Sequence, residues 1–136
     1  MQEITVKDKE KLELAIKDKY DVIYIVGDLG ENLKNTEQLK KMSGPVLGLL
    51  IGIVMATPFS FGVSTIALVG VNAAVVAAGG SAISLGTLTA IIAIGATNVF
   101  DIYKNYSVDI SRFGDGYKAT LFLKETFDKL KDKVKE

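Results

Sequence analysis

Few side chains in this sequence are equipped for chemistry. It contains no Cys, no His and no Trp. A thiol nucleophile, a thiolate metal site, the usual general base and the commonest transition-metal ligand are therefore missing. Gly27-Asp28-Leu29-Gly30 follows a strand-like run and precedes a helix-like one, the placement of a phosphate-cradling turn. It is neither GxGxxG nor a P-loop, and no Lys-Ser/Thr pair follows, so it reads as a strand-to-helix turn with a capping Asp. Asp115 lies between two glycines and reads as a turn residue. Asp128 and Asp132 are one helical turn apart, but Lys129, Lys131 and Lys133 surround them, which makes a solvated charged face. No nucleophile–base pair emerges. The expectation is a protein that is not an enzyme, with no metal, no cofactor and no small-molecule substrate.

The charges themselves carry more information. Sixteen basic and sixteen acidic residues give a net charge of zero, which argues against nucleic acid as a partner, since that needs a basic excess. Residues 1–41 hold 8 Lys and 9 Asp/Glu, and residues 101–136 hold 7 Lys, 1 Arg and 7 Asp/Glu. Between Lys41 and Asp101 there is no charged side chain. A helix of an ordinary soluble domain has a wet, charged face. A charge-free stretch of this length implies that most of its surface does not meet bulk water.

Glycine and proline divide that stretch. Gly44-Pro45 opens it, and Pro58 and Gly79-Gly80-Ser81 interrupt it, leaving Val46–Thr57, Phe61–Ala78 and Ala82–Phe100. The last two approach the roughly 20 residues a bilayer-crossing helix needs. One reading is a helical hairpin of these two, preceded by a short re-entrant or interfacial helix. Another runs one kinked helix from Val46 to Val69 and a second from Ala73 to Phe100. If both charged flanks belong to one domain, the number of crossings is even, and two is the natural count. Burial inside a soluble bundle or a large assembly remains open. The block starts too late for a cleaved signal peptide, and Met1-Gln2-Glu3 is not a basic leader.

The flanks read as mixed α and β. Glu3–Val6 is a short strand, and Asp8 caps a helix reaching Tyr20 with Leu12, Ala15 and Ile16 on one stripe. Val22–Val26 suits a strand buried on both faces of a parallel pair. Leu29 to Met42 reads as a polar helix. Tyr106–Phe113 and Tyr117–Lys124 flank Gly114-Asp115-Gly116 as a hairpin with a three-residue turn. Phe127, Leu130 and Val134 mark a last helix from Glu125 to Lys135. The predicted fold is α+β: a split β-α-β-α / β-β-α domain, residues 1–42 and 101–136, interrupted over 43–100 by a Gly-rich apolar helical hairpin with two transmembrane spans. Each flank is marginal alone, so the two are expected to close on each other or on copies of themselves.

Small residues recur every fourth position in the apolar block. Gly44, Gly48 and Gly52 form one row; Gly70, Ala74 and Ala78 a second; Ala82, Gly86 and Ala90 a third. In lipid, helices associate through close backbone approach and interhelical hydrogen bonds, and such rows permit it. They are the expected helix-packing and oligomerisation residues, with Asn72 and Asn98 placed either to bridge helices or to sit solvated near a turn. The absence of Asp, Glu, Lys or Arg inside the block excludes a proton relay or a voltage sensor. Ser60, Ser64, Thr65, Ser84, Thr87, Thr89 and Thr97 leave any pore with weak ion selectivity.

The Ile4-Thr5-Val6-Lys7 start, the Ile25-Val26-Gly27-Asp28-Leu29 element, the Gly/Ala-rich apolar segment and the β-hairpin tail together resemble small uncharacterised bacterial proteins. The resemblance covers most of the chain loosely. It implies a bacterial protein associated with the inner membrane, without assigned activity, and carries over no functional residue.

Two functions follow as expectations. One is a self-associating membrane protein that assembles in, permeabilises or remodels a bilayer, its partners being itself and lipid. Lys34, Lys40, Lys41 and Lys104 around the apolar block agree with both termini being cytoplasmic. The alternative is a structural protein that polymerises into a filament, tube or shell through its apolar helices and strand edges.

Overall fold

The computed structural model describes the backbone of residues 1–57 and 65–135; the side chains of 65, 66 and 132–135 fall outside the description. Pro58, Ser60 and Ser64, the side chains of Thr65 and Val134, and the first residues of the expected Phe61–Ala78 helix thus lie outside the described residues.

The chain begins with a parallel β-α-β unit. Strand β1 (Glu3–Val6) pairs with β2 (Val22–Ile25), Val6 opposite Ile25. Helix α1 (Lys9–Lys17) joins them, capped by Asp8, whose carboxylate accepts from the Lys11 amide at 2.8 Å. Hairpin strands β3 (Tyr106–Phe113) and β4 (Gly116–Leu123) complete a four-stranded sheet of order β1-β2-β4-β3. Antiparallel pairing of Val22 with Phe122 and Ile25 with Ala119 joins the two charged flanks directly. Phe113 pairs with Gly116, so the hairpin turn has two residues, Gly114 and Asp115, rather than the expected three. Helix α7 (Lys124–Lys135) follows, and Phe127 packs edge-on against Phe122 of β4, ring centroids 5.3 Å apart.

The expected Leu29–Met42 helix is broken. Helix α2 spans Asp28–Asn35, and a 3-10 turn covers Glu37–Lys41. The break falls on Thr36, fully buried, whose hydroxyl donates back to the Leu33 carbonyl at 2.8 Å. A side chain that competes for the helix's own carbonyls loosens the next turn.

Among the described residues the apolar block forms four short helices, and here the two-span expectation needs correcting. They are α3 (Gly44–Ala56), α4 (Thr65–Ala77), α5 (Leu85–Ile94) and α6 (Ala96–Asn105). No single helix among the described residues is long and apolar enough to cross a membrane. Thirteen residues at 1.5 Å rise reach about 20 Å, against roughly 30 Å of hydrocarbon. The expected Ala82–Phe100 span is not one helix: α5 and α6 have the length and composition of a span only together, as a bent pair. Ser84 caps α5, accepting from the Thr87 amide at 3.0 Å, and leaves Ala82 and Ile83 outside the helix. At Gly95, with φ +103°, the chain turns between α5 and α6 through 94°. That backbone conformation is one glycine adopts at little cost, and it ends the helix where hydropathy alone would continue it.

The core is one continuous cluster. Ile23, Ile25 and Leu121 of the sheet share it with Leu12, Leu33, Leu50, Val75, Ile91 and Ile102 of the helices. The apolar segment thus packs on the α+β flanks: α2 lies against α5, and α6 against both α1 and β3.

Candidate functional site

The outer sides of α3, α4 and α5 stand apart from every other helix. Leu47, Leu50, Ile51 and Val54 of α3 face the core, as do Val71 and Val75 of α4 and Leu88, Ala90, Ile91 and Ile94 of α5. Large apolar side chains also point outward: Leu49 is 39 % exposed, Met55 64 %, Val69 63 %, Val76 54 % and Leu85 42 %. Between them lie exposed Gly52, Gly70, Ala73 and Gly86, and no charge. Helix α1 shows the contrast, with Lys9, Glu10, Lys11, Glu13 and Lys17 exposed. A wet helix face ordinarily has that second composition.

The rows of small residues fall mainly on this outer side. A Cβ added at Gly44, Gly52 or Gly70 would meet nothing within 4 Å. Gly48 would meet only the Phe100 ring, at 3.8 Å, and Gly86 only its neighbour Ser84. Ala78 and Ala82 are exposed, Ala74 is half-buried, and Ala90 is core. These rows are therefore not what draws the helices of one chain together. Close approach occurs instead at Gly80, where a Cβ would stand 2.6 Å from Val46 Cγ1 and 2.8 Å from Val75 Cγ1. Sequence reasoning treated Gly80 as punctuation; its space requirement comes from α3 and α4 packing around it.

The two asparagines make specific contacts. Asn72 of α4 donates to the Ile83 carbonyl at 3.0 Å and accepts from the Ile83 amide at 2.8 Å, clamping the segment ahead of α5. Asn98 donates to the Ile94 carbonyl at 2.9 Å across the Gly95 turn.

The Gly27–Gly30 turn is structural. Gly30 is buried, and a Cβ there would collide with the Tyr117 carbonyl of β4. Asp28 is exposed in the first turn of α2, while the N-cap position belongs to Gly27 rather than to the expected Asp. Among the described residues, no three His, Cys, Asp or Glu cluster so as to hold a metal ion.

Two concavities flank α6. One, of about 490 Å3, mixes Glu13, Lys17, Lys19, Asp101, Lys124 and Glu125. Burial raises the Asp101 carboxyl above its ordinary range, partly offset by the Lys104 ammonium. The other, of about 750 Å3, has an apolar floor that includes Leu39, Leu47, Phe100 and Tyr106. Its charged lining residues are Lys40, Lys104 and Lys124. Tyr103 closes its wall. The Thr36 hydroxyl proton goes to Leu33, so the Tyr103 proton is shared between Thr36 Oγ1 at 2.7 Å and the Thr36 carbonyl at 3.1 Å. Burial pushes the Tyr103 phenol up to about 12, with the Thr36 bond opposing and the Glu37 charge adding. Tyr106 is likewise pushed up to about 12, by burial and then by the Asp21 and Asp101 charges. Asp21 was not singled out in the sequence. It accepts from the Gln2 amide at 2.8 Å and from the Thr126 hydroxyl at 2.5 Å, which ties the chain's start to α7.

Fold and surface together define an α+β protein with an uncharged helical face set against a charged, sheet-centred body. The family model described as Uncharacterised protein PM1101 matches residues 5–124, and the chain belongs to that family. This agrees with the resemblance to small uncharacterised bacterial proteins. No curated protein and no solved structure matches the chain.

Proposed function

We propose that the protein is a small, self-associating membrane protein of the bacterial inner membrane, its charged body in the cytoplasm with both termini. The observation that carries this reading is the outward display of Leu49, Met55, Val69, Val76 and Leu85 on helices without a single charge. Over their described residues, helices α3 and α4 are too short to cross, so in this reading they enter one leaflet as a half-depth pair. In sequence, residues 58–64 include Phe59 and Phe61 and no charge. Helices α5 and α6 stay with the body, because their apolar sides already cover α2, α1 and β3. Open glycines at 44, 52 and 70 give neighbouring copies a surface for close approach. One-sided insertion by several copies expands a single leaflet, which favours remodelling or permeabilising the bilayer over a selective channel. Vesicles loaded with a self-quenched dye should leak or change size when the protein is added; intact, unchanged vesicles with the protein left in the supernatant would contradict the reading.

A polymer is the second reading, and strand β3 favours it. This eight-residue strand lies at the sheet edge, with one side unpaired among the described residues, and Phe113 at its end is 62 % exposed. Electron microscopy of lipid-free protein should then show ordered filaments, tubes or shells.

A further inference from the structure

We infer that the groove between the start of α3, α6 and β3 is a binding site for the phosphate headgroup of an anionic phospholipid. This rests on the membrane reading above and deepens it. The groove's charged lining residues are Lys40, Lys104 and Lys124, drawn from the 3-10 turn, α6 and α7, and no carboxylate lines it. In a chain of zero net charge that is a local segregation of positive charge. None of the three lysines forms an ion pair among the described residues, where the pairs are Lys34–Glu37 and Lys129–Glu125. Lys104 and Lys124 also border the neighbouring concavity that holds Glu13, Asp101 and Glu125, so those carboxylates lie outside the groove but near it; the Lys104 ammonium lies 5.5 Å from the Phe100 ring centroid.

The floor explains why a lipid fits better than a free anion. Leu39, Met42, Leu47, Phe100 and Val108 give it an apolar base that inorganic phosphate has no use for. Gly44 and Leu47 belong to the first turns of α3, the helix whose outer side then carries Leu49, Gly52 and Met55. A headgroup held by the lysines would leave its acyl chains running onto that uncharged face. Lys40 and Lys104 flank the charge-free stretch at its two ends, and the fold brings them to one groove at the margin of that face.

The test uses the full chain and sedimentation with vesicles of neutral phosphatidylcholine, or of phosphatidylcholine containing phosphatidylglycerol. A lysine near an anionic surface contributes about fivefold in affinity. Binding to the anionic vesicles should therefore fall on the order of 100-fold in the triple variant Lys40→Gln, Lys104→Gln, Lys124→Gln. The equally discharged control Lys7→Gln, Lys11→Gln, Lys131→Gln should fall far less, and Arg at 40, 104 and 124 should retain binding. All six lysines are exposed, so each variant is expected to fold, which circular dichroism checks. Equal losses in the two triple variants would overturn the site and leave only a net-charge effect. Equal binding of wild type and groove variant to both vesicle types would overturn it while supporting the membrane reading. Wild-type protein that binds neither vesicle would overturn both. Tyrosine fluorescence in a titration with inorganic phosphate separates the two phosphate sources, because Tyr103 and Tyr106 line the groove and the chain has no Trp. No response below the millimolar range is expected; saturation as tight as that of the vesicles would overturn the lipid assignment.

Discussion

Tyr103 holds its phenolic proton because burial penalises the phenolate and the Glu37 charge adds to that penalty, outweighing the opposing Thr36 bond. Its pKa is raised from 10.0 to about 12 in the fold, so the stabilisation is complete below pH 10 and is lost as pH rises toward 12. The loss should be on the order of 2 kcal/mol. Urea unfolding across that window should show it, and Tyr103→Phe should flatten the slope. Asp21 behaves oppositely at the acid end: its pKa is lowered from 3.8, so its contribution is present above 3.8 and is lost as pH falls through the lowered value. Neither group was legible in the sequence, because each depends on partners far along the chain, Thr36 for Tyr103 and Thr126 for Asp21. The glycines separate in the same way. Gly30→Ala should cost about 1–3 kcal/mol through collision with the Tyr117 carbonyl. Gly52→Ala meets open space and should stabilise α3 by up to about 1 kcal/mol. Chemical denaturation of the two variants measures both.

At the scale of elements, alternation and capping carried the reading where the sequence pattern is local. β1, the Asp8-capped α1, β2 and the β3–β4 hairpin fall at or near their expected places. Where the expectation went wrong, a side-chain hydrogen bond or a glycine turn ends a helix that composition would extend. Thr36 bonds back to Leu33, Gly95 turns the chain, and Asn72 holds Ile83 out of α5. Asn72→Ala should cost about 1–3 kcal/mol, since it leaves the Ile83 amide and carbonyl without their partner. Its effect on the thermal midpoint checks this. The outer side of α3 and α4 makes a separate prediction. Met55→Lys with Val69→Lys should leave the fold intact, because both side chains are exposed. Each lysine costs up to about 3 kcal/mol in hydrocarbon, so the pair should weaken membrane binding by up to about 10,000-fold in a flotation assay.

At the scale of the whole molecule, the segregation of charge was fully legible, because it is a property of composition along the chain. Its meaning changed with the fold. Half of the apolar block is spent on covering the sheet and α2, and what remains outward is a face of α3, α4 and the start of α5. The small-residue rows at 44, 48 and 52 and at 70, 74 and 78 were read as serving helix packing or self-association. They lie largely open, which favours the second of these roles. A monomer in water would leave that face against solvent without one charge to hydrate it. The most direct measurement is alkaline carbonate extraction of cells containing the native chain, with the released and retained material sized with and without detergent. The account expects the protein to stay with the membrane and to run as an oligomer once detergent is present. Release by carbonate as a monodisperse, folded monomer in plain buffer would contradict it.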